Sequence, residues 1–489
     1  MTTRLGLNDL PQSTLDALGR AGSYLADLAT PTVRLGVTGL ARSGKTVFIT
    51  ALVRSLVANG RLPFFGPAAE GRILRAYLEP QPDDDVPRFA YEEHLASLAA
   101  EQPAWPQSTR RISELRITIE YESRHLLRRR VGSGRLHVDI VDYPGEWLID
   151  LPMLDLSFAQ WSRTALAAAR DPRRSTAAAP FLAFLLAHDA ANPEDEHKAI
   201  EGAALYTAYL RAARIISPAD LMLGPGRFLM PGDHEGSPLL TFMPLDLTDG
   251  VEVKRGSLAA MMERRYDAYR TRIVRPFFRD HFARLDRQIV LVDALGAIAS
   301  GAAAVRDLEA SLATVLASFR PGASRWLSAL LPRRIDRIVF AATKADHIHH
   351  TSHDRLEAVL TALTKRAADR ATFQGAEVKA LALAALRSTE ETEIVHNGEA
   401  LGCIVGTPLK GEIIDGRVFD GAARARVFPG DVPGDAMSLL DGRAGASDLS
   451  LVRFGPQRVA ADAPDGRRAP WPHIRLDRAL DFLIGDRLA

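Results

Sequence analysis

Apolar residues recur along the chain with two different spacings, which divide it into strands and helices. A period of two is typical of strands, and a period near four is typical of helices packed against a core. We predict strands at 33–37, 115–120, 135–141, 289–292, 335–342 and 378–385. Helical spacing follows several of these strands. The order predicts an α/β fold built on a doubly wound, mainly parallel sheet.

The same pattern divides the chain into six segments. An amphipathic N-terminal helix is expected in the first segment, and a proline-rich excursion with one helix near 91–100 in the second. The last segment closes with a helix whose apolar face carries Leu476, Leu480, Leu483 and Ile484. The segments are an N-terminal helical part (1–30), the first part of the α/β domain (31–147, with its excursion at 61–108), a large mainly helical insertion (148–285), the second part of the α/β domain (286–389), a small β-rich appendage (390–460) and a closing loop and helix (461–489).

Composition narrows the class of protein. The chain has 489 residues with 61 Lys plus Arg and 60 Asp plus Glu, a balance that gives no strong nucleic-acid signal. The single cysteine, Cys403, fits a reducing compartment. The longest apolar run, 177–187, is too short for a transmembrane segment, and the N-terminus lacks the pattern of a signal peptide. We therefore expect a cytoplasmic protein.

The first predicted strand leads into a phosphate-binding loop. Gly39 to Thr46 reads G-x-x-x-x-G-K-T and stands between a strand and a helix, the context that a P-loop (Walker A) requires. A chance glycine-rich turn is the alternative. Lys45 can reach the phosphates and Thr46 can ligate Mg²⁺. The residues expected around the phosphates are Gly39, Ala41, Arg42, Ser43, Gly44, Lys45, Thr46 and Val47.

A second motif, Thr343-Lys344-Ala345-Asp346, follows a later strand and indicates guanine. The Asp346 carboxylate can accept the two N–H donors on the guanine edge, whereas adenine offers no such pair. The aliphatic part of Lys344 can lie over the base. The alternative is an ATPase, in which the match of Asp346 to a guanine-binding motif is a coincidence.

A D-x-x-G sequence occurs twice at the end of a strand, at Asp142 and at Asp293. We prefer Asp142 for the Mg²⁺ role because a predicted hairpin leads into it. The motifs together resemble the Ras-like P-loop GTPases, and more closely the YcjX-like family of bacterial, predicted GTP-binding stress proteins. The residues that carry this closer resemblance are Gly39–Thr46, 142–147, 225–232 and 342–350.

The resemblance implies a Ras-like P-loop NTPase fold that binds GTP or GDP with Mg²⁺. It implies that Asp142 supports the metal and that the Gly145 N–H meets the γ-phosphate. It also implies that the backbone at Ala384 and Ala385 meets guanine O6. The sequence departs from the Ras-like pattern at Glu146, where those GTPases carry the glutamine that orients water. Hydrolysis by the usual route is thus in doubt.

Two further candidates belong to the same chemistry. Thr109, with Ser108 second, is placed where Ras-like proteins keep a threonine that ligates Mg²⁺; a structural turn is the alternative. Arg42 lies inside the P-loop and resembles the cis arginine of guanylate-binding proteins; a surface ion pair is its alternative. A homodimer could turn Arg42 inward. The catalytic candidates are Lys45, Arg42 and Glu146.

Two features are left without an assigned chemistry. His347, His349, His350 and His353 could bind Zn²⁺, but a solvated loop and helix start is the preferred interpretation. Arg227 and Asp233, in a loop rich in glycine and proline, are expected to be structural. The predicted function is a slow, Mg²⁺-dependent GTPase that acts as a nucleotide-dependent switch with an unknown protein partner. A stress-related role is expected from the family resemblance. The alternatives are a nucleotide-binding scaffold with little turnover and an ATPase.

Overall fold

The computed structural model describes most of the chain, in twelve stretches. They are 30–39, 43–107, 111–124, 133–216, 224–247, 253–318, 335–373, 375–396, 398–414, 416–435, 449–459 and 470–489. The predicted N-terminal helix, residues 131 and 132 of the predicted turn, and the candidates Ala41, Arg42, Ser108 and Thr109 lie outside them.

A seven-stranded sheet forms the centre of the molecule, in the order β2-β3-β4-β1-β5-β6-β7. From β4 to β7 neighbouring strands are parallel, and β2, β3 and β4 pair antiparallel at one edge. This arrangement confirms the predicted doubly wound, mainly parallel sheet. The strands are β1 (Thr32–Gly39), β2 (Ile73–Glu79), β3 (Ser113–Tyr121), β4 (Gly134–Asp142), β5 (Arg287–Val292), β6 (Arg337–Ala342) and β7 (Glu377–Ala382).

Helices cover both faces because successive strand residues point to opposite sides of the sheet. Leu35, Ile289 and Val339 face a core shared with α1 and α13. Val290 and Phe340 face the opposite core, against α10, α11 and α12. These helices are α1 (Lys45–Val57), α10 (Ala294–Ala299), α11 (Ala302–Ser318), α12 (His353–Phe373) and α13 (Leu476–Ile484); two others, α2 (Gly66–Ala69) and α3 (Tyr91–Ala99), lie between β1 and β3.

One prediction is wrong in the excursion between α1 and β3. It contains the expected helix, α3, but also strand β2, which pairs antiparallel with β3. Most of β2 is exposed or half-buried, and its pairing is irregular between Ile73 and Arg75. An edge strand with this burial shows no clean alternation of apolar residues, so residues 73–79 carry no period-two signal.

The segment between β4 and β5 is mainly helical and has its own aromatic core. It begins with a 3₁₀ stretch, Gly145–Asp155. Its helices are α4 (Phe158–Ala169), α5 (Ser175–Ala187), α6 (Glu196–Ile216), α7 (Gly226–Leu229), α8 (Leu258–Tyr269) and α9 (Arg275–Asp280). Trp161 stacks on Tyr266 with ring centroids 5.1 Å apart, and Phe242 packs edge-on against both rings. The same core includes Val141 of β4 and Ile112, so the helical segment packs directly against one face of the central sheet.

Small antiparallel sheets follow β7, as predicted. One has the order β12-β9-β8 and the other pairs β10 with β11. Their strands are β8 (Glu390–His396), β9 (Glu399–Gly406), β10 (Ile413–Ile414), β11 (Arg417–Val418) and β12 (Ala425–Val427). The chain then returns as α13 to the central sheet.

Candidate functional site

The motifs found in the sequence meet at one edge of the sheet. β1, β4, β5 and β6 are parallel neighbours, so the loops that follow them emerge on the same side. The P-loop follows β1, and Thr343 to Asp346 follows β6. One strand separates β1 from β6, so the two loops start about 10 Å apart. The carboxyl edge of such a sheet is the usual place for a ligand.

The P-loop residues in the described part of the chain have the geometry of an anion site. Gly44 has φ of 83°, a left-handed conformation that suits glycine, and Phe48 N–H donates to its carbonyl at 2.8 Å to start α1. A Cβ on Gly39 would lie 2.2 Å from Ser43 Oγ. Val47 is half-buried in the first turn of α1. The N–H groups of a first helical turn are directed at any anion placed there.

Lys45 and Asp142 lie side by side at the mouth of this loop. Lys45 Nζ contacts Asp142 Oδ1 and donates to the carbonyl of Tyr143 at 3.1 Å. The Asp142 carboxylate is buried, and Asp142 pairs in register with Val37 of β1. Thr46, also buried, is the next residue along α1. Lys45, which can bind phosphate, is thus adjacent to the oxygen atoms of Thr46 and Asp142, which can bind a hard cation.

Gly145 holds the segment after Asp142 against the P-loop. A Cβ at Gly145 would lie 2.6 Å from the Gly39 carbonyl oxygen, so no side chain fits. Glu146, the next residue, is buried and forms an ion pair with Arg214 of α6, with Oε1 and Nη2 3.2 Å apart. The glutamate is therefore held by the helical insertion.

Asp346 is buried and held by the loop after β7. Its Oδ2 accepts hydrogen bonds from both the backbone N–H and the hydroxyl of Ser388, each at 2.7 Å. Thr343 N–H donates to the carbonyl of Val292 at 2.9 Å, which ties the loop to β5. A carboxylate offers about four lone-pair directions, so Asp346 can accept further donors. Ser388 was not among the predicted site residues.

The contact between Lys344 and Asp293 shows that the two D-x-x-G aspartates lie beside different lysines. Lys344 has φ of 62°, rare for a residue with a side chain, and its Nζ forms an ion pair with Asp293. Asp293 also caps α10 by accepting from Gly296 N–H at 3.1 Å. Asp293 therefore lies beside Lys344, whereas Asp142 lies beside Lys45.

Ala384 and Ala385 lie on the same side as Asp346. Ala384 forms two backbone hydrogen bonds with Ile474: its N–H donates at 3.1 Å and its carbonyl accepts at 2.8 Å. The Ala384 amide already has an acceptor in this arrangement. A backbone contact to a base would therefore require a neighbouring amide or a shift of Ile474.

A buried network surrounds Arg227, a residue expected from the sequence to be structural and given no chemical role there. The Arg227 guanidinium lies 3.3 Å from the ring centroid of Trp147, two residues after Gly145. Asp150 accepts hydrogen bonds from Gly226 N–H at 2.6 Å and Tyr269 Oη at 2.6 Å. Burial lowers the pKa of Arg227 and raises the pKa of Asp150 to about 6. The only signal in the sequence was the resemblance carried by 225–232, which assigned no role to Arg227.

The fold and the grouping of these residues define a P-loop protein of the α/β class. The chain belongs to the YcjX-like family, DUF463, whose profile matches residues 33–488. This confirms the family expected from the motifs.

Two curated relatives are similar over most of their length. The Ras-like GTPase YcjX of Escherichia coli (strain K12) is 37% identical over 468 residues, covering 93% of this chain and 96% of the relative. The Ras-like GTPase YcjX of Shewanella oneidensis is 33% identical over 487 residues, covering 96% and 97%. In the described part of the chain, every helix is too short or too polar to cross a bilayer.

Proposed function

We propose that this chain binds GTP and GDP with Mg²⁺ in the cytoplasm and hydrolyses GTP slowly as a nucleotide-dependent switch. Two long relatives are named Ras-like GTPases, which supports the general class. The observation that carries the choice of base is the buried Asp346, fixed by Ser388 at the edge that also holds Lys45.

The residues at the P-loop fit a phosphate chain with a hard cation. Ser43 Oγ is buried without a hydrogen-bond partner among the described residues, so a polar ligand would satisfy it. Lys45 and the N–H groups of α1 would hold phosphate oxygens. Thr46 and Asp142 would hold Mg²⁺ or its waters, and the cation would neutralise charge on the phosphates.

The position of Glu146 supports slow turnover. Its carboxylate pairs with Arg214 and is buried, so it is not directed freely toward an attacking water. Arg42 is proposed to supply the missing charge stabilisation, with Thr109 proposed as a metal ligand. Both proposals rest on sequence position, because neither residue is described by the structure.

Base selectivity tests the proposal. Asp346→Asn should lower affinity for GTP and raise affinity for xanthosine triphosphate, because an amide donates to the second xanthine carbonyl that a carboxylate repels. The measurement is displacement of a fluorescent guanine nucleotide by each competitor. Asp354→Asn is a matched control, since that carboxylate is 90% exposed on α12 and should leave selectivity unchanged. Equal binding of ATP and GTP by the unmodified chain would favour the ATPase alternative.

A nucleotide-binding scaffold is the second candidate, and the Glu146–Arg214 pair favours it. Multiple-turnover phosphate release under saturating Mg²⁺ separates it from a slow GTPase. The GTPase proposal expects continued release beyond one phosphate per chain, abolished in Lys45→Ala. Release that stops at or below one phosphate, with tight GTP binding retained, supports the scaffold.

A further inference from the structure

A cluster of three metal-ligating side chains lies beyond the Asp346 loop. His349, His350 and Glu391 each place one possible ligand atom within 4.8 Å of the others. His350 Nδ1 lies 2.6 Å from Glu391 Oε2, and His349 Nε2 lies 3.9 Å from the same oxygen. Two imidazoles and one carboxylate form a donor set suited to Zn²⁺.

His349 is set in this position by its surroundings. Only 6% of the residue is exposed, and its ring lies over Gly402 of β9, where a Cβ would approach Cγ to 2.5 Å. Its Nδ1 lies 3.0 Å from Thr351 Oγ1. When Nδ1 donates to that hydroxyl, Nε2 keeps its lone pair on the side facing Glu391. Partners of this kind orient histidines that bind metals.

The orientation of the Glu391 carboxylate is set by a hydrogen bond to its second oxygen, Oε1. Arg387 Nη2 donates to Oε1 at 3.2 Å, so Oε2 is the oxygen directed at both imidazoles. His350 is 62% exposed on its side chain, which gives an ion a path from solvent and room for water ligands. Solvation is therefore wrong for His349 and for His353, which is 5% exposed, and right for His350. The predicted helix start is correct, because α12 begins at His353.

We propose that His349, His350 and Glu391 bind one divalent transition-metal ion, with Zn²⁺ the best match. The ion would join the loop after β6 to strand β8. Asp346 precedes His349 by three residues, and Ser388 precedes Glu391 by three. The ion would therefore clamp the same two segments that the Asp346–Ser388 hydrogen bonds connect. Metal binding at this cluster does not depend on the proposed nucleotide function.

Zinc titration of tag-free protein, freed of metal by a chelator, tests the site. We expect one Zn²⁺ per chain in competition with a chromogenic chelator, and a higher melting temperature with Zn²⁺. His350→Ala and Glu391→Gln should weaken binding about tenfold or more and remove the thermal shift. His396→Ala and Glu390→Gln are matched controls on β8, because both residues are exposed; Glu390 pairs with Arg424 instead.

Thr351 gives a second, milder test that leaves the ligands intact. Thr351→Val should weaken zinc binding about tenfold by releasing the His349 ring, and Thr351→Ser should restore it. Absence of zinc uptake, or uptake that the ligand variants leave unchanged, would overturn the proposal. In that case His350 and Glu391 form only a surface ion pair.

Discussion

At the scale of single residues, two buried charges connect the segment after Gly145 to the helical insertion. Asp150 accepts from the backbone of Gly226 and from Tyr269, and Arg227 stacks on Trp147. A buried charge is stable only when hydrogen bonds or an opposite charge replace its water. These contacts supply that replacement, and they also tie Trp147 and Asp150 to α7 and α8.

The raised pKa of Asp150 predicts a pH dependence of stability. Burial favours the protonated carboxyl, so the folded state holds a proton more tightly than the unfolded state between about pH 4 and pH 6. The contribution of Asp150 is fully present below the ordinary carboxyl pKa of 3.8 and is lost as pH rises through about 6. The loss is on the order of 3 kcal/mol.

Chemical denaturation from roughly pH 3.5 to roughly pH 8 measures this effect, because that range includes the pKa of Asp150 in both the unfolded and the folded state. The difference in free energy of unfolding between the wild type and Asp150→Asn should fall from pH 4 to 6 and level off above it. The exposed Asp155→Asn, at the end of the same 3₁₀ stretch, should follow the wild type. A difference that grows with rising pH would contradict the assignment.

At the scale of elements, the 3₁₀ stretch Gly145–Asp155 is the junction between the α/β domain and its insertion. A Cβ on Gly226 of α7 would lie 1.9 Å from the Glu146 carbonyl oxygen, so the two backbones are in direct contact. Arg214 of α6 pairs with the Glu146 side chain. A change at Gly145 caused by nucleotide would therefore be transmitted first to α6 and α7.

The Arg227–Trp147 stack makes this junction testable. Arg227→Lys keeps the charge but loses the flat contact with the indole, and the compact ammonium is more costly to bury. We expect a loss of about 2 kcal/mol in the free energy of unfolding. Arg211→Lys, an exposed position on α6, is the control and should change stability by less than about 0.5 kcal/mol. Equal, small effects at both positions would show that the stack contributes nothing.

At the scale of the whole molecule, α13 closes one face of the central sheet from the far end of the chain. Leu476, Leu480, Leu483 and Ile484 are all buried in the core shared with β1 and α1. Asp481 Oδ1 accepts from Gly66 N–H at 2.9 Å, which fixes α13 against the start of the excursion. The first and last described parts of the chain thus pack into one core.

Leu480→Ala should therefore destabilise the α/β domain itself. Removing this buried side chain leaves a cavity, and the expected loss is about 2 to 5 kcal/mol. Arg478→Ala, on the exposed side of the same helix, should cost far less despite its contact with the Phe64 ring. The test is thermal unfolding followed by circular dichroism. Similar melting temperatures for the two variants would mean that α13 is not part of the cooperative core.

The sequence by itself determined the strands at the sheet centre, the alternation of helices with them, and the positions of the P-loop and the Asp346 motif. These features depend on residues close together in the chain, where backbone geometry and apolar spacing act directly. Strand β2 was not predicted because an edge strand is not uniformly buried and its apolar residues do not alternate.

The tertiary structure decided which distant residues meet. It placed Asp142 beside Lys45 and Asp293 beside Lys344, where the sequence offered two D-x-x-G sequences and favoured Asp142 only through the predicted hairpin. It also brought Glu391 to the histidine loop. No local period encodes such contacts, because strand order and the packing of the insertion set the distances between residues that lie far apart in the chain.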